Sequence, residues 1–503
     1  MGDVKVIILG IDALNFKVLD PLIEDGTLPN FKLLRERSAH STMRSIVPSV
    51  TGPAWTTINT GKDPGKHGIF DFVRIEDGRS KVNTRSDIDG EFFMDTLSRL
   101  GKRCIVMSVP FTYPPGKWYN GASVSDFLYP DVQVCPADLS PLLKGYRVVP
   151  DSAHKKGPDL ADDMLAVTRR QIVLCKDLMS SVEWDLAYFY FGMIDSFFHS
   201  FYDRIGSDGP EWEAGKAILR CFDDLIGELM EGLGDDIFLL VISDHGFRLY
   251  PHTIYLNRVL ESEGYLLRSY SYDKGRTRSS KGIGYRFARF LNLPVVHQVA
   301  RSIYRIVGRI YKKAGNPMSV GLDEGLDYLN SAAYAPTTES LGIIVNDAAM
   351  RPPRSRRSLL EFLGSLEHDG EKVFTRIVPR EELYKGPHVI RSPDYILFSE
   401  DFMLNANIFG KEHFGDVYPY HDMDAVFFLA GKGVKAGPMR ERPDLHDIAP
   451  TVLHLLGTAP PEGMDGHVLD EAFSEIAKPS GPSEMDRIRR AALKLKGRGN
   501  QSR

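Results

Sequence analysis

The sequence predicts an α/β fold built on a doubly wound, mostly parallel sheet with helices on both of its faces. Three observations lead to this prediction. Short runs of β-branched and aromatic residues recur along the 503 residues, longer segments with helical periodicity lie between them, and polar residues directly follow several of the runs. Strands that alternate with helices pair in parallel, because each helix returns the chain to the same edge of the sheet.

The individual elements follow from the spacing of apolar residues. Apolar runs without polar alternation predict strands that are buried on both faces. Apolar residues at every third or fourth position predict helices at 159–181 and 211–232. The predicted strands are 4–11, 104–109, 186–191, 237–242 and 425–430.

Composition excludes several classes of protein. Hydrophobic residues make up 43% of the chain and charged residues 26%, which is typical of a folded globular protein. The net charge of −5 argues against a dedicated nucleic-acid binder, so no nucleic-acid partner is expected. Because the cysteines lack short paired spacing, we expect free thiols in a reducing compartment. The cysteines are Cys104, Cys135, Cys175 and Cys221.

The first residues, MGDVKVIILGIDAL, carry charges beside an apolar run that is too short for a signal peptide. No stretch of about 18 apolar residues predicts a transmembrane helix. We therefore expect a cytoplasmic protein, peripheral to a membrane if the basic segment described next binds one.

A basic segment at 268–313 interrupts the α/β pattern, with twelve Lys/Arg residues against one Asp. A helix is predicted over 294–314, with an aliphatic face opposite an arginine face. The segment is either a cap packed on the core or a surface that contacts an anionic membrane. The expected division is a first part of the core at 1–260, a basic helical insertion at 261–335, a second part of the core at 336–477 and a basic flexible tail at 478–503.

Acidic and imidazole groups follow the predicted strands. Asp12 ends the first strand, and Asp244 and His245 follow the strand at 237–242. In α/β sheets ligands bind at the carboxyl ends of the strands. Two adjacent ionisable groups are costly to bury after an apolar run, and a metal ion would offset that cost.

Three further residues extend this set. Asp195 and His199 are four residues apart, so they face the same side of a helix, and His421 lies just before the last predicted strand. Taken singly, each residue is ordinary as a cap, a turn residue or a structural histidine. Together they predict a metal centre, and carboxylate oxygens mixed with imidazole nitrogens suit Zn²⁺ first, then Mn²⁺ or Fe²⁺.

Thr51 begins the segment TGPAWTTINT, in which Pro53 is a helix-start signal. Thr51 is therefore predicted to be the N-cap of a helix that ends near Thr60. One interpretation is a cap alone, whose hydroxyl accepts a backbone N–H. The other is a nucleophile, because a helix N-terminus and a metal would both stabilise its alkoxide. The free N–H groups there could also hold a phosphate.

These motifs resemble those of the alkaline phosphatase superfamily, on its type I phosphodiesterase/nucleotide pyrophosphatase branch. The matching segments are GIDAL at 10–14, TGPAWTTINTGKDPGKHGIFDF at 51–72, FGMIDSFFHSFY at 191–202, SDHGF at 243–247 and DIAPTVLHLLG at 447–457. The resemblance implies an alkaline phosphatase-like fold and two divalent metal ions bridged by the phosphoryl group.

The resemblance also implies roles for individual residues. One ion would be held by Asp195, His199 and His421. The other would be held by Asp12, Thr51, Asp244 and His245. Thr51 would be the nucleophile, forming a phosphothreonine that a water activated at the first ion hydrolyses. The predicted substrate contacts are Gly52, Trp55 and His67.

The chain departs from the pattern at one position. Nucleotide pyrophosphatases carry an Asn three positions beyond the nucleophile, whereas this chain has Ala54, which argues against a nucleotide preference. The C-x-P-x-R context of sulfatases does not surround Thr51. The implied function is hydrolysis of a small-molecule or lipid-headgroup phosphate ester. The alternatives are a phosphomutase or phosphotransferase, and a non-catalytic member that binds a membrane or a partner.

Overall fold

The computed structural model describes residues 4–76, 79–114, 119–128, 132–268 and 326–474. The strands in this part of the chain are β1 (Lys5–Ile11), β2 (Ala39–Arg44), β3 (Val73–Glu76), β4 (Arg79–Val82), β5 (Cys104–Met107), β6 (Ala122–Val124), β7 (Val134–Cys135), β8 (Leu186–Phe191), β9 (Ile237–Ile242), β10 (Gly246–Tyr250), β11 (His252–Tyr255), β12 (Ala333–Tyr334), β13 (Gly342–Val345), β14 (Glu367–His368), β15 (Glu371–Lys372), β16 (Arg376–Pro379), β17 (Tyr395–Phe398), β18 (Phe402–Asn405), β19 (Phe414–Gly415), β20 (Tyr418–Asp422), β21 (Asp424–Ala430) and β22 (Gly437–Pro438).

The α-helices are α1 (Phe16–Glu24), α2 (Pro29–Arg37), α3 (Thr51–Thr60), α4 (Pro64–His67), α5 (Phe93–Arg99), α6 (Gly157–Ser181), α7 (Met193–Phe201), α8 (Pro210–Glu231), α9 (Leu256–Ser262), α10 (Arg356–Ser365), α11 (Arg380–Leu383) and α12 (Ile448–Leu455). Short 3₁₀ helices lie at Arg85–Asp87, Ala137–Leu143, Tyr202–Arg204, Asp347–Ala349, Val389–Arg391, Leu445–Asp447 and Asp470–Ala472.

The main sheet has nine strands in the order β22-β2-β21-β9-β1-β8-β5-β6-β7. Strands β9, β1, β8, β5 and β6 are parallel, which confirms the predicted fold class. The last predicted strand differs in direction, because β21 is antiparallel to β9. The chain enters β21 directly from β20, without a helix that would return it to the opposite edge of the sheet. Such a crossover would be needed for β21 to run parallel to β9.

Both faces of the sheet are covered, because alternate side chains of β1 point to opposite sides. Ile7, Leu9 and Ile11 pack into one core with α1, α2, α6, α7 and α8. Val6 and Ile8 pack into the other core with α3, α5 and α12. Helices therefore cover the sheet on both sides, as the apolar patterning predicts.

A smaller unit with its own apolar core follows β9 along the chain. Its core includes Ile254, Leu260, Ile343, Leu363 and Phe402. After β9 the chain rejoins the main sheet at β21, and the predicted division at 261–335 and 336–477 stays a prediction. The strands from β11 to β19 are two to four residues long and pair among themselves, not with the main sheet.

The predicted helix at 294–314 and the predicted tail at 478–503 lie outside the described residues. Of the twelve basic residues at 268–313, the structure describes Arg268, which is hydrogen-bonded to Glu261 and to the Ile408 carbonyl. None of the helices in the described part of the chain combines the length and apolar composition of a membrane span. All four cysteines are free, as expected from their spacing.

Candidate active site

The predicted site residues converge at one edge of the main sheet. Asp12 follows β1, Asp195 and His199 lie on α7 directly after β8, and Asp244 and His245 follow β9. These three strands are neighbours and run parallel, so their carboxyl ends meet. The remaining two residues are His421, on β20, and Thr51, the first residue of α3.

His421 reaches the same edge because β21 runs antiparallel. Because β21 is antiparallel to β9, the start of β21 lies beside the carboxyl end of β9. β20 ends two residues before β21 begins, so it lies at the same edge. β20 also pairs with β10, which places His421 opposite Phe247, two residues from His245. The imidazole rings of His245 and His421 stack with their centroids 3.8 Å apart.

We call Asp12, Asp244 and His245 the sheet-edge group. His245 Nε2 lies 3.4 Å from Asp12 Oδ1 and 3.3 Å from Asp244 Oδ2. One ligand atom from each of the three residues falls within 4.8 Å of the others. All three side chains are fully buried, so the group presents a compact donor set of two carboxylates and one imidazole.

We call Asp195, His199 and His421 the helix–hairpin group. Asp195 Oδ1 lies 3.2 Å from His199 Nε2 and 3.4 Å from His421 Nε2. The two Nε2 atoms are 3.0 Å apart. Ligand atoms of Asp195, His245 and His421 also lie within 4.8 Å of one another, so His245 lies between the two groups.

Backbone carbonyls orient two of the imidazoles. Nδ1 of His245 lies 3.0 Å from the Gly246 carbonyl oxygen, and Nδ1 of His421 lies 2.8 Å from the Ser49 carbonyl oxygen. In each case Nδ1–H donates, which leaves a lone pair on Nε2 directed into the site. Metal-binding histidines use this arrangement, in which the second ring nitrogen fixes the tautomer.

The charge balance also fits bound cations. Burial, together with the carboxylates of Asp12 and Asp195, raises the pKa of Asp244 well above its ordinary value. Burial and the nearby His421 lower the pKa of His245, which favours the neutral, metal-binding form of its imidazole. Three crowded carboxylates beside the neutral imidazole of His245 make an environment that a divalent ion stabilises, so the residues present fit a metal centre.

Thr51 differs from its predicted role as an N-cap. The N-cap residue is Val50, and Thr51 is the first residue inside α3. Its Oγ1 lies 3.5 Å from His245 Nε2 instead of accepting a backbone N–H of the helix. The hydroxyl therefore faces the sheet-edge group, because Val50 and not Thr51 has the extended backbone of a cap.

The three predicted substrate contacts lie in different surroundings. Gly52 is next to Thr51, and a Cβ built there would lie 3.2 Å from the ring of Phe72. Trp55 is fully buried and packs against Gly10, so its ring supports the sheet. His67 is also fully buried; Ile69 N–H donates to its Nδ1, and its Nε2–H donates to Thr57. Contact of Trp55 or His67 with a substrate stays a prediction from the sequence.

One polar contact in the site lies beyond the reach of the sequence motifs. The Tyr190 hydroxyl donates to Asp12 Oδ2 at 2.5 Å. Tyr190 belongs to the apolar run LAYFYF, which predicts only a buried strand. The contact depends on the register of β8 against β1, where Tyr190 lies opposite Gly10, and the sequence carries no signal for that register.

A family model described as type I phosphodiesterase/nucleotide pyrophosphatase matches residues 6–320. The chain belongs to this family. It is therefore a hydrolase of phosphoric esters, and the family together with the two donor groups implies the use of divalent metal ions. The matched residues include Thr51 and every member of both groups except His421.

Solved structures share the fold of this phosphodiesterase family member. Phosphonoacetate hydrolase from Sinorhizobium meliloti has a TM-score of 0.56 at 16% identity, over 89% of this chain and 94% of that chain. Murine ectonucleotide pyrophosphatase/phosphodiesterase 5 has a TM-score of 0.51 at 15% identity, over 91% and 96%. Wild-type alkaline phosphatase PafA has a TM-score of 0.54 at 15% identity, over 94% and 99%. No curated protein sequence compared with the chain matches it.

Proposed function

We propose that this family member hydrolyses phosphate esters with Thr51 as the nucleophile, forming a phosphothreonine intermediate. The observation that supports this most directly is the position of the Thr51 hydroxyl. It faces His245 Nε2 at 3.5 Å, at the first residue of α3 and beside the sheet-edge group. A threonine that served only as a cap would direct its hydroxyl to the helix backbone.

The metal ligands in this proposal are the members of the two groups, with Thr51 added to the sheet-edge group. Zn²⁺ is the favoured ion, since the donors are imidazole nitrogens and carboxylate oxygens. When bound, two such ions would stabilise the alkoxide form of the hydroxyl and offset the charge of the phosphoryl oxygens.

The chain's own groups then account for the positioning of the substrate. Backbone N–H groups in the first turn of a helix have no intrahelical acceptors, so those of Thr51 and Gly52 can bind a phosphoryl oxygen. Thr51 Oγ1 attacks phosphorus and the P–O bond to the leaving group breaks, with the leaving group opposite the hydroxyl. Water then cleaves the phosphothreonine and regenerates Thr51.

The family model favours diesters as substrates, whereas Ala54 argues against a nucleotide. We propose a small-molecule or lipid-headgroup ester. Cytoplasmic location stays a prediction from the sequence. Contact with an anionic membrane also stays a prediction, because nearly all of 268–313 lies outside the described residues. A diester and a monoester of the same chromophore, compared by kcat/KM, would identify the preferred class.

The nucleophile is tested by Thr51→Ala. Turnover should fall by several orders of magnitude because the covalent step is lost, while the metal content stays near that of the wild type. Thr60→Ala is a matched control in the same helix, since its hydroxyl donates to the Thr56 carbonyl and lies at the far end of α3. Mass spectrometry of acid-quenched wild-type enzyme should find a phosphorylated peptide that contains Thr51. Thr51→Ala turnover within a few-fold of the wild type would exclude this role.

A further inference from the structure

The site contains a buried phenol that the proposed mechanism does not use. Tyr190 is 3% exposed, and its hydroxyl donates to Oδ2 of Asp12, which belongs to the sheet-edge group. The other oxygen, Asp12 Oδ1, faces His245 Nε2 at 3.4 Å. The two oxygens of one carboxylate therefore have separate partners.

The surrounding residues hold the phenol in this position. The Trp55 ring meets the Tyr190 ring edge-on, with centroids 5.3 Å apart, and the Phe127 ring stacks on it at 5.8 Å. Two glycines make room for these rings. A Cβ on Gly10 would lie 2.5 Å from the Trp55 ring, and a Cβ on Gly192 would lie 2.8 Å from the Tyr190 hydroxyl.

We propose that Tyr190 is a positioning residue for the metal centre: its hydroxyl binds Asp12 Oδ2 and thereby directs Oδ1 toward the ion of the sheet-edge group. The proposal rests on the two-metal function described above. A carboxylate can rotate about its last side-chain bond and present either oxygen, or both, to a cation. A hydrogen bond to one oxygen restricts this rotation, and such outer partners of metal ligands commonly change metal affinity by about 10- to 100-fold.

The same geometry explains why Trp55 is buried below the site. Trp55 lies one turn after Thr51 on α3, and its ring touches both Gly10 of β1 and Tyr190 of β8. The tryptophan therefore sets the distance between the nucleophile's helix and the strand that carries the phenol. In this proposal the role of Trp55 is to support Tyr190.

Tyr190→Phe tests the proposal because it removes only the hydroxyl. Tyr188→Phe is a matched control, since Tyr188 is in the same strand, is fully buried and has a hydroxyl without a hydrogen-bond partner among the described residues. Zn²⁺ binding is measured for the wild type and both variants by competition with a chromophoric chelator. We expect Tyr190→Phe to weaken one of two equivalents by about 10- to 100-fold, and Tyr188→Phe to change neither.

A double-mutant cycle tests the route through Asp12. In an Asp12→Ala background, Tyr190→Phe should cause no further loss of Zn²⁺ affinity. The proposal is overturned if Tyr190→Phe binds both equivalents like the wild type, if Tyr188→Phe loses affinity equally, or if metal-free Tyr190→Phe is unfolded while metal-free Tyr188→Phe is folded. Wild-type protein that binds no Zn²⁺ would instead contradict the proposed function, so the two failures are distinguishable.

Discussion

The sheet-edge group and the helix–hairpin group differ in how the fold holds them. Asp12, Asp244 and His245 follow adjacent parallel strands whose register is fixed by a continuous ladder, and all three are fully buried. The helix–hairpin group takes two side chains from α7 and one from β20. Its side chains are slightly more accessible, with His199 10% and His421 5% exposed.

The donor sets differ in the same direction. Two carboxylates and one imidazole make the sheet-edge group the more negative of the two, whereas the helix–hairpin group has one carboxylate and two imidazoles. Phe247 packs against both His199 and His421, with ring centroids at 4.9 and 5.6 Å. The sheet-edge group therefore follows strands of the main sheet, whereas the other group depends on the packing of side chains between α7 and the antiparallel pair β10–β20.

The largest expected effect comes from breaking the sheet-edge group. Asp244→Asn should reduce turnover on the order of 10²–10³-fold or more, as for other groups that act directly on the transition state, and should remove metal from that group. His199→Ala should lose the metal of the other group with a smaller loss of turnover, since Thr51 faces the sheet-edge group. Metal content and kcat for the two variants are the measurements. A larger loss of turnover for His199→Ala would reverse the comparison.

Graded chelation should distinguish the metal affinities of the two groups without any mutation. An ion in the helix–hairpin group would be held by fewer carboxylates at more exposed positions, so it should leave first as chelator is added. Native mass spectrometry should then find a species with one ion before the metal-free chain. His199→Ala should lose metal in a single phase. Two ions lost together from the wild type would show that the groups bind as one unit.

The smallest effect concerns a carboxylate pair that lies outside both groups. Burial, opposed by the hydrogen bond from Thr337, raises the pKa of Asp71 to about 6. Burial and Asp71 together raise the pKa of Glu339 to about 8. Because both carboxyl groups bind a proton more tightly in the folded protein, their protonation contributes to the free energy of unfolding. This contribution is complete below about pH 4, the ordinary pKa of an unfolded carboxyl, and it is lost as the pH rises through the pKa values of the folded state. Tyr418 and Tyr420 also face this pair.

Asp71→Asn should therefore reduce the fall in unfolding free energy between pH 5 and pH 8, by about 1–3 kcal/mol. Asparagine keeps an oxygen that accepts from Thr337 and removes the charge that burial destabilises. Urea unfolding of metal-saturated wild type and variant at the two pH values measures the difference. An equal pH dependence in both proteins would mean that the pair does not titrate in this range.

The sequence predicts much of this site because the pattern of apolar and polar residues indicates where strands end. A polar residue after an apolar run indicates the carboxyl end of a strand, which located Asp12, Asp244 and His245. His421 was located for a related reason, because it precedes a strand whose start lies at the same edge. The direction of β21 could not be predicted from the sequence, since an apolar run has the same pattern in a parallel and in an antiparallel strand.

Other features depend on contacts between distant segments. The hydrogen bond from Tyr190 to Asp12 requires the register of β8 against β1. Short strands such as β12 and β13 were not predicted, because they have too few residues for a periodicity to develop. Thr51 was placed one residue too early in its helix, since Pro53 is compatible with either start.

The two ends of the long basic region meet in the smaller unit. Arg268 and Leu326 form an antiparallel bridge, and the N–H of Asp327 donates to the Leu267 carbonyl at 3.0 Å. The two residues that flank 269–325 are therefore neighbours in the described structure, and the cost of closing a loop grows only slowly with its length. A short turn could join Arg268 to Leu326 and leave the metal ligands in place, so any affinity for anionic lipid that resides in the region could be separated from catalysis or transferred to another protein.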